Sequence, residues 1–337
     1  MKDKQITIAE VAKKAGVSTK TVSRVINNEK GVRENTAKKV KKAIESLEYK
    51  PNVFAQSLAG GRTRIIGLIY DNPNPVYISQ IMDGVLNYCH KMEYAVIIHP
   101  CKFEKRDLTT VMQGLIEKTR LKGMILTPPL SDSKELLRMV SKTGMPCTLI
   151  SPGSDKIRSD SIITNDYESS KEMVAHIISK GHRKIALIKG HPGHKALKRR
   201  TQGYLDAMQD AKIKVNNNLI FQGYNSFESG MDCGKEIMKM KSKPSAIFAA
   251  NDEMASGVMK VIIDSGYEVP KNFSIAGFDD TPVSQMLNPP LSTIRQPLEK
   301  MGELAAKKLI AQLEGFDFFE NQKPESKLII RDSISSI

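Results

Sequence analysis

Residues 7–28 read TIAEVAKKAGVSTKTVSRVINN, and the spacing of apolar side chains here decides how the chain begins. Ile8, Val11, Ala12 and Ala15 recur at helical intervals and form one face of a short helix. Thr7, with Glu10 three positions on, is a capping box for its start. Gly16 supplies the permissive backbone of a tight turn, and Val17 drops inward as the turn's apolar plug. Ser18 then caps a second helix whose inner face is Val22, Val25 and Ile26. Two short helices joined by a glycine turn of this length make a helix-turn-helix corner.

The outer face of that second helix carries Thr19, Lys20, Ser23, Arg24 and Asn27. Lys and Arg can donate to guanine O6 and N7, while short polar side chains reach phosphates or thymine methyls. A third helix is expected from about Glu34 to Leu47, with Val40, Ala43, Ile44 and Leu47 closing a small core. The charge agrees with a polyanionic partner at this end of the chain. Residues 1–64 hold 15 Lys and Arg against 6 Asp and Glu, which is most of the net +14 of the whole 337-residue chain.

Next comes YKPNVFAQSLAGGRTRIIGL, residues 49–68. Pro51 can open a helix and Gly60–Gly61 can end it, leaving a span too short to be stable alone in water. Phe54, Ala55, Leu58 and Ala59 make it too apolar for a plain linker, so a segment that orders against DNA and a symmetry mate is expected.

From Arg64 onward, β-rich runs alternate with helical ones. IIGLIYD, AVIIHP, GMILTPP, CTLIS, IITND, KIALIKG, LIFQG, SAIFAAND, SIAGFDD and STIRQP read as strands, and stretches such as SQIMDGVLNYCHKM, ESSKEMVAHIISKG and DEMASGVMKVIIDSG as amphipathic helices. Such alternation predicts parallel sheets covered by helices on both faces, here two doubly wound subdomains with a ligand cleft at the strand ends.

Other function classes find little support. Cys89, Cys101, Cys147 and Cys233 are scattered without CxxC spacing, and His191 with His194 lacks a third ligand, so neither a metal nor a disulfide framework is expected. No phosphate loop, nucleophile elbow or HExxH motif is present, and no cofactor is called for. The N-terminus has no apolar signal region and no run is long enough to span a membrane, so a cytoplasmic, nucleoid-associated protein is expected. The alternative of a sugar-binding protein without a regulatory role leaves the basic helical head unexplained.

Residues 6–64, with TIAEVAKKAGVSTKTVSRVIN and YKPNVFAQSLAG, resemble the lactose/galactose repressor family. The likeness continues through GHRKIALIKG, RTQGY, IFAANDEMASG, SIAGFDDT, PPLSTIRQP and KLIIRDSI. It implies an all-α helix-turn-helix head on an α/β body of the type I periplasmic-binding-protein kind. The division expected is 1–50 head, 51–63 hinge helix and linker, 64–162 with 293–322 N-subdomain, and 163–292 with 323–337 C-subdomain. In DNA recognition, the resemblance implies that Thr19, Lys20 and Arg24 read base edges. Ser23, Asn27, Thr36 and Asn52 would hold phosphates. Leu58, flanked by Ala55 and Ala59, would wedge into the minor groove and kink the duplex.

In the cleft, Asp279 would accept hydroxyl hydrogen bonds, Arg200 would donate a planar fork, and Asn251 would do both. The alternative is that Asp279 and Arg200 simply pair with each other, though the resemblance places both on effector. Gln296 and Tyr77 would approach from the N-subdomain. Asp252 reads as the cap of the following helix and Asp280 as a surface residue. Two departures stand out. Ser151 occupies a position where many sugar-responsive members carry Asp, and Asn225 one where an aromatic ring commonly stacks on ligand, with Tyr224 or Phe227 as substitutes. The effector expected is a sugar or glycoside, a nucleobase being disfavoured without that ring. The ending RDSISSI, lacking a leucine heptad tail, suggests a homodimer on a pseudo-palindromic operator.

Overall fold

The computed structural model describes residues 6–26, 31–49, 64–72, 74–103, 107–153, 160–318 and 323–337. The chain divides into two compact units, Met1–Arg64 and Ile65–Ile337.

The first unit contains α1 (Ile8–Ala15), α2 (Thr19–Ile26) and α3 (Glu34–Ser46). The Thr7–Glu10 capping box forms as the sequence predicts, with the Thr7 amide donating to Glu10 Oε2 at 2.7 Å. Gly16 ends α1 at φ +66°, in the left-handed region that favours glycine, and the Val17 amide closes the turn on Ala12 O at 3.0 Å. Ser18 Oγ accepts from the Thr21 amide at 3.2 Å at the start of α2. Val11, Ala12, Val22, Val25, Val40 and Ala43 are buried together, with Val17, Ile26, Ile44 and Leu47 packed around them.

The second unit is built on two parallel sheets. The first contains β1 (Ile65–Tyr70), β2 (Ala95–Pro100), β3 (Gly123–Leu126), β4 (Cys147–Ile150) and β5 (Ser161–Ile162), in spatial order β2-β1-β3-β4-β5. One face packs on α4 (Pro75–Lys91) and α12 (Leu298–Glu314) through Ile66, Leu68, Ile81, Met301 and Leu309. Its other face packs on α5 (Leu108–Thr119) and α6 (Lys134–Thr143) through Met112, Met124, Leu126 and Leu136. Helices α4 and α12 meet on glycines. A Cβ on Gly84 would lie 1.9 Å from Glu299 O, and one on Gly302 would lie 2.1 Å from Ile81 O.

The second sheet has the order β7-β6-β8-β9: β6 (Ile185–Lys189), β7 (Ile220–Gln222), β8 (Ala246–Ala249) and β9 (Ser274–Ala276). Helices α7 (Asp166–Ser179) and α8 (Leu197–Asp210) cover one face, and α9 (Phe227–Lys239) and α10 (Asp252–Asp264) the other. A short helix, α11 (Pro282–Met286), follows β9, and β10 (Thr293–Arg295) pairs antiparallel with β11 (Lys327–Ile329).

Two expectations shift. Of the run IITND only Ile162 is strand, continuing from Ser161, because α7 begins at Asp166 and takes the rest of the motif as its approach. Residues 293–295, assigned from sequence to the first subdomain, lie with the second sheet. Ile294 is buried in that sheet's core and Arg295 bridges Asp279, so the chain leaves only after Arg295.

Candidate functional site

On the head, α2 presents Thr19, Lys20 and Arg24 to solvent, with Ser23 half-buried beside them. Thr36 is half-buried in the first turn of α3. The inner side of α2 is occupied by Val22 and Val25, so a rigid core dictates which side chains face outward. Asn27, Asn52, Ala55, Leu58 and Ala59 lie outside the described residues.

In the second unit, the carboxyl ends of both sheets converge on one cleft. Tyr77, Arg200, Asn251, Asp279 and Gln296, which the sequence singles out from five separate segments, all line it. All five are buried. The remaining cavity is only about 40 Å³, room for a water or two.

Arg200, on the first turn of α8, is the hub. Its guanidinium lies over the Phe278 ring, 3.4 Å from the centroid. Nε donates to Asp166 Oδ2 at 3.1 Å, and Nη1 to Ala250 O at 2.5 Å and to Asp279 Oδ1 at 3.4 Å. Gln296 Nε2 donates to the same Asp279 oxygen at 2.6 Å. Burial pushes the Asp279 carboxyl up to about 6, against the opposing pull of Arg200 and Gln296. Its backbone sits at φ +114°, a region L-residues rarely occupy, and Asp280 follows at φ +55°.

That strained pair is held from two sides. Asp280 is not a surface residue, as the sequence suggested. Its carboxylate is almost fully enclosed, 2.6 Å from both Arg295 Nε and Arg331 Nη2, and accepts from Ser284 Oγ at 3.0 Å. Burial alone would raise its pKa, but these donors outweigh it and hold it below the usual carboxylate range. From the other side, Asp252 accepts from the Thr281 amide at 2.8 Å and from Thr293 Oγ1 at 2.5 Å. Burial and the neighbouring Asp279 push its carboxyl well above the ordinary value.

Nor is Asp252 the helix cap. Asn251 takes that role, its Oδ1 accepting from the Met254 amide at 3.0 Å while Nδ2 donates to Asn225 O at 3.1 Å. Both ends of the Asn251 amide are thereby engaged within the protein.

The positions of Ser151 and Asn225 also face the cleft, in left-handed conformations at φ +43° and +63°. Burial first, then the charge of Asp279, raise the pKa of the Tyr77 hydroxyl strongly. Asn225 Oδ1 accepts from the His191 amide at 3.0 Å. Neither substitute ring enters the cleft. Tyr224 is exposed and stands edge-on to His191, 5.7 Å between centroids, and Phe227 lies outside the lining.

Sequence reasoning missed Asp166, Asn74 and His194 as lining residues. The pair Asn74-Pro75 is a helix-start signal that could have extended α4 back to the cleft. His194 is buried, and burial, then His191 and Arg200, lower its pKa to about 4. Asp166 carried no local mark, since its partner Arg200 is remote in sequence.

A further contact joins the two lobes of this unit. Asp132, just after β3, accepts from the Lys195 amide of the second lobe at 3.3 Å, and from the Gly153 amide of its own lobe at 2.8 Å. Among the described residues, no helix is long and apolar enough to cross a membrane, and no cluster of His, Cys, Asp and Glu could hold a metal.

Residues 7–52 match the model of bacterial regulatory proteins of the lacI family, and residues 174–334 that of a periplasmic binding protein-like domain. The HTH-type transcriptional repressor PurR of Vibrio atlanticus (strain LGP32) is 33% identical over 92% of this chain and 93% of its own length. The chain belongs to the lacI family of bacterial regulatory proteins. PurR of Vibrio vulnificus (strain CMCP6) is 32% identical over 98% of this chain and 99% of its own. Among solved structures, a Lac repressor dimer bound to operator and the anti-inducer ONPF superimposes with a TM-score of 0.87 at 29% identity, covering 99% of this chain and 100% of that one. The regulator CelR in complex with cellobiose gives a TM-score of 0.72 at 26% identity over 97% and 99%. This lacI-family chain is therefore a DNA-binding transcriptional repressor and not an enzyme.

Proposed function

We propose that this repressor is switched by a small neutral polyhydroxyl effector, a sugar or glycoside, bound among Tyr77, Arg200, Asn251, Asp279 and Gln296. One observation carries the reading: two carboxylates, Asp166 and Asp279, converge on a single buried guanidinium. An anionic effector would meet net negative charge there, whereas hydroxyl groups can donate to the carboxylates and accept from the guanidinium. With no Trp in the chain and no Phe in the lining, the rings available to a flat heterocycle are those of Tyr77 and His194, while most of the lining is hydrogen-bonding side chains. The CelR–cellobiose neighbour supports the same class.

The cavity of about 40 Å³ is smaller than a monosaccharide, so the effector enters by parting the lobes that the Asp132–Lys195 contact joins. Asp279 and Arg200 then exchange their bonds to each other for bonds to ligand, and the changed lobe arrangement is the allosteric signal. Such a signal must be reciprocal, operator and effector altering each other's affinity by one factor. The DNA-bound form is a homodimer in the cytoplasm on a pseudo-palindromic operator. Thr19, Lys20 and Arg24 read bases in this proposal, while Ser23, Asn27, Thr36 and Asn52 hold phosphate. Leu58, with Ala55 and Ala59, opens the minor groove. The division into 1–50, 51–63 and two subdomains belongs to this reading too.

The test is operator binding at fixed ionic strength, since affinity for DNA shifts steeply with salt, against neutral sugars, glycosides, sugar phosphates and nucleobases. A response confined to sugar phosphates or nucleobases would overturn the effector class.

A further inference from the structure

The side-chain amide of Asn74 is engaged at one end only. Its Oδ1 accepts from the Val76 amide at 3.0 Å and the Tyr77 amide at 3.2 Å, capping α4. This fixes which way the amide points, because two N–H donors require the oxygen. Nδ2 is consequently turned the other way, buried, with no hydrogen-bond partner among the described residues. Of the buried side-chain polar atoms in that condition, it alone belongs to a residue lining the cleft. The neighbouring donors are committed: Gln296 Nε2 to Asp279, and Asn251 Nδ2 to Asn225 O.

An orphaned buried donor is costly, and native proteins rarely leave one without a partner that comes and goes. We propose that Asn74 Nδ2 is the donor that reads an acceptor oxygen of the effector, a ring, glycosidic or hydroxyl oxygen, on the side of the first sheet. This deepens the reading of the cleft as the effector site and rests on it. The effector then has two recognised ends, hydroxyl donors toward Asp279 and an acceptor toward Asn74. The same planar amide joins ligand and helix. A bond accepted from Nδ2 polarises the amide and strengthens Oδ1 as the cap of α4. Ligand occupancy is thus felt at the end of the helix that carries Tyr77 and crosses α12 at Gly84 and Gly302.

Asn74→Asp and Asn74→Ser separate the two roles, since both keep a good capping oxygen and remove the amide donor; Ser does so without added charge. Calorimetric titration of the full chain uses D-ribose, D-galactose, cellobiose and their methyl glycosides as probes, beside thermal unfolding without ligand. Both variants are expected to unfold at or near the wild-type temperature, yet to bind the tightest probe roughly tenfold more weakly, the scale of one good hydrogen bond. Asn74→Ala is expected to lose affinity and thermal stability together. If Asp and Ser variants bind as wild type while Asp279→Ala does not, Asn74 is a cap alone and the inference falls. If wild type binds no probe, or Asp279→Ala binds normally, the effector reading of the cleft fails and takes this inference with it.

Discussion

The outer face of α2 and the cleft of the second unit hold the side chains proposed to act there in opposite physical states. Thr19, Lys20 and Arg24 stand in solvent on a helix whose position is fixed by Val22 and Val25 beneath. In the cleft, Arg200, Asp166, Asp279 and Gln296 are buried and already bonded to one another. A surface set meets its partner by shedding water and counterions, so each contact adds affinity with little internal rearrangement. A pre-bonded set must trade partners, so its net affinity is a difference between good alternatives. In the proposed reading the same trade makes the cleft a switch, because ligand would replace contacts that hold the lobes.

The sharpest way to break this contrast is Asp279→Ala. Removing one partner of a buried charge set costs about 2–5 kcal/mol, so effector response should vanish while operator affinity without effector stays within a few-fold of wild type. An equal loss of operator binding would mean that Asp279 supports the fold and not the ligand. Arg24→Ala is the mirror test. Specific operator affinity should fall by about 1–3 kcal/mol, with effector affinity in the absence of DNA unchanged. An identical loss on unrelated duplex would make Arg24 a phosphate contact.

The two regions also differ in how far the sequence disclosed them. In the head, Thr7–Glu10, Gly16 and the Val22–Val25 stripe interact within a few positions of one another, so periodicity and capping chemistry were sufficient. In the cleft, Asp279 and Arg200 were legible as side chains at strand and helix ends and their mutual pairing was one reading of the sequence, but their further partners Asp166 and Gln296 were not. Asp166 pairs with Arg200 across 34 positions, and Asp280 with Arg331 across 51, separations that no local pattern encodes. Asp280 looked like a surface residue for that reason. Asn251 and Asp252 are adjacent, either able to cap α10, and only the tertiary position of Thr281 and Thr293 decides which does.

Acidity offers a more modest probe of the buried region. His194 has a folded pKa of about 4 against an ordinary 6.5. Between those values the unfolded chain binds a proton that the folded chain does not, so this group removes stability as pH falls from 6.5 toward 4. Asp279, raised to about 6 from 3.8, acts with the opposite sign, its ionisation opposing the fold as pH rises through that window. Denaturant midpoints of wild type and His194→Gln should therefore diverge below pH 6.5, the wild type losing more. Parallel curves would show that the imidazole is solvated. Effector affinity should also weaken as pH drops through 6, where Asp279 gains a proton and loses its charge.

The smallest effect belongs to the head. Thr7→Ala removes the cap of α1 and should cost about 1 kcal/mol locally, seen as several-fold faster hydrogen exchange of α1 amides in the intact chain. Exchange at the wild-type rate would show that packing on α3 sets the order of α1.

The most direct test of the whole account is operator affinity at constant ionic strength with and without saturating sugar, on a pseudo-palindromic duplex selected by the protein itself from random sequence. The account predicts that the tightest-binding sugar changes that affinity severalfold or more in the wild type and leaves Asp279→Ala unmoved. A sugar that binds the cleft while operator affinity stays the same would contradict it.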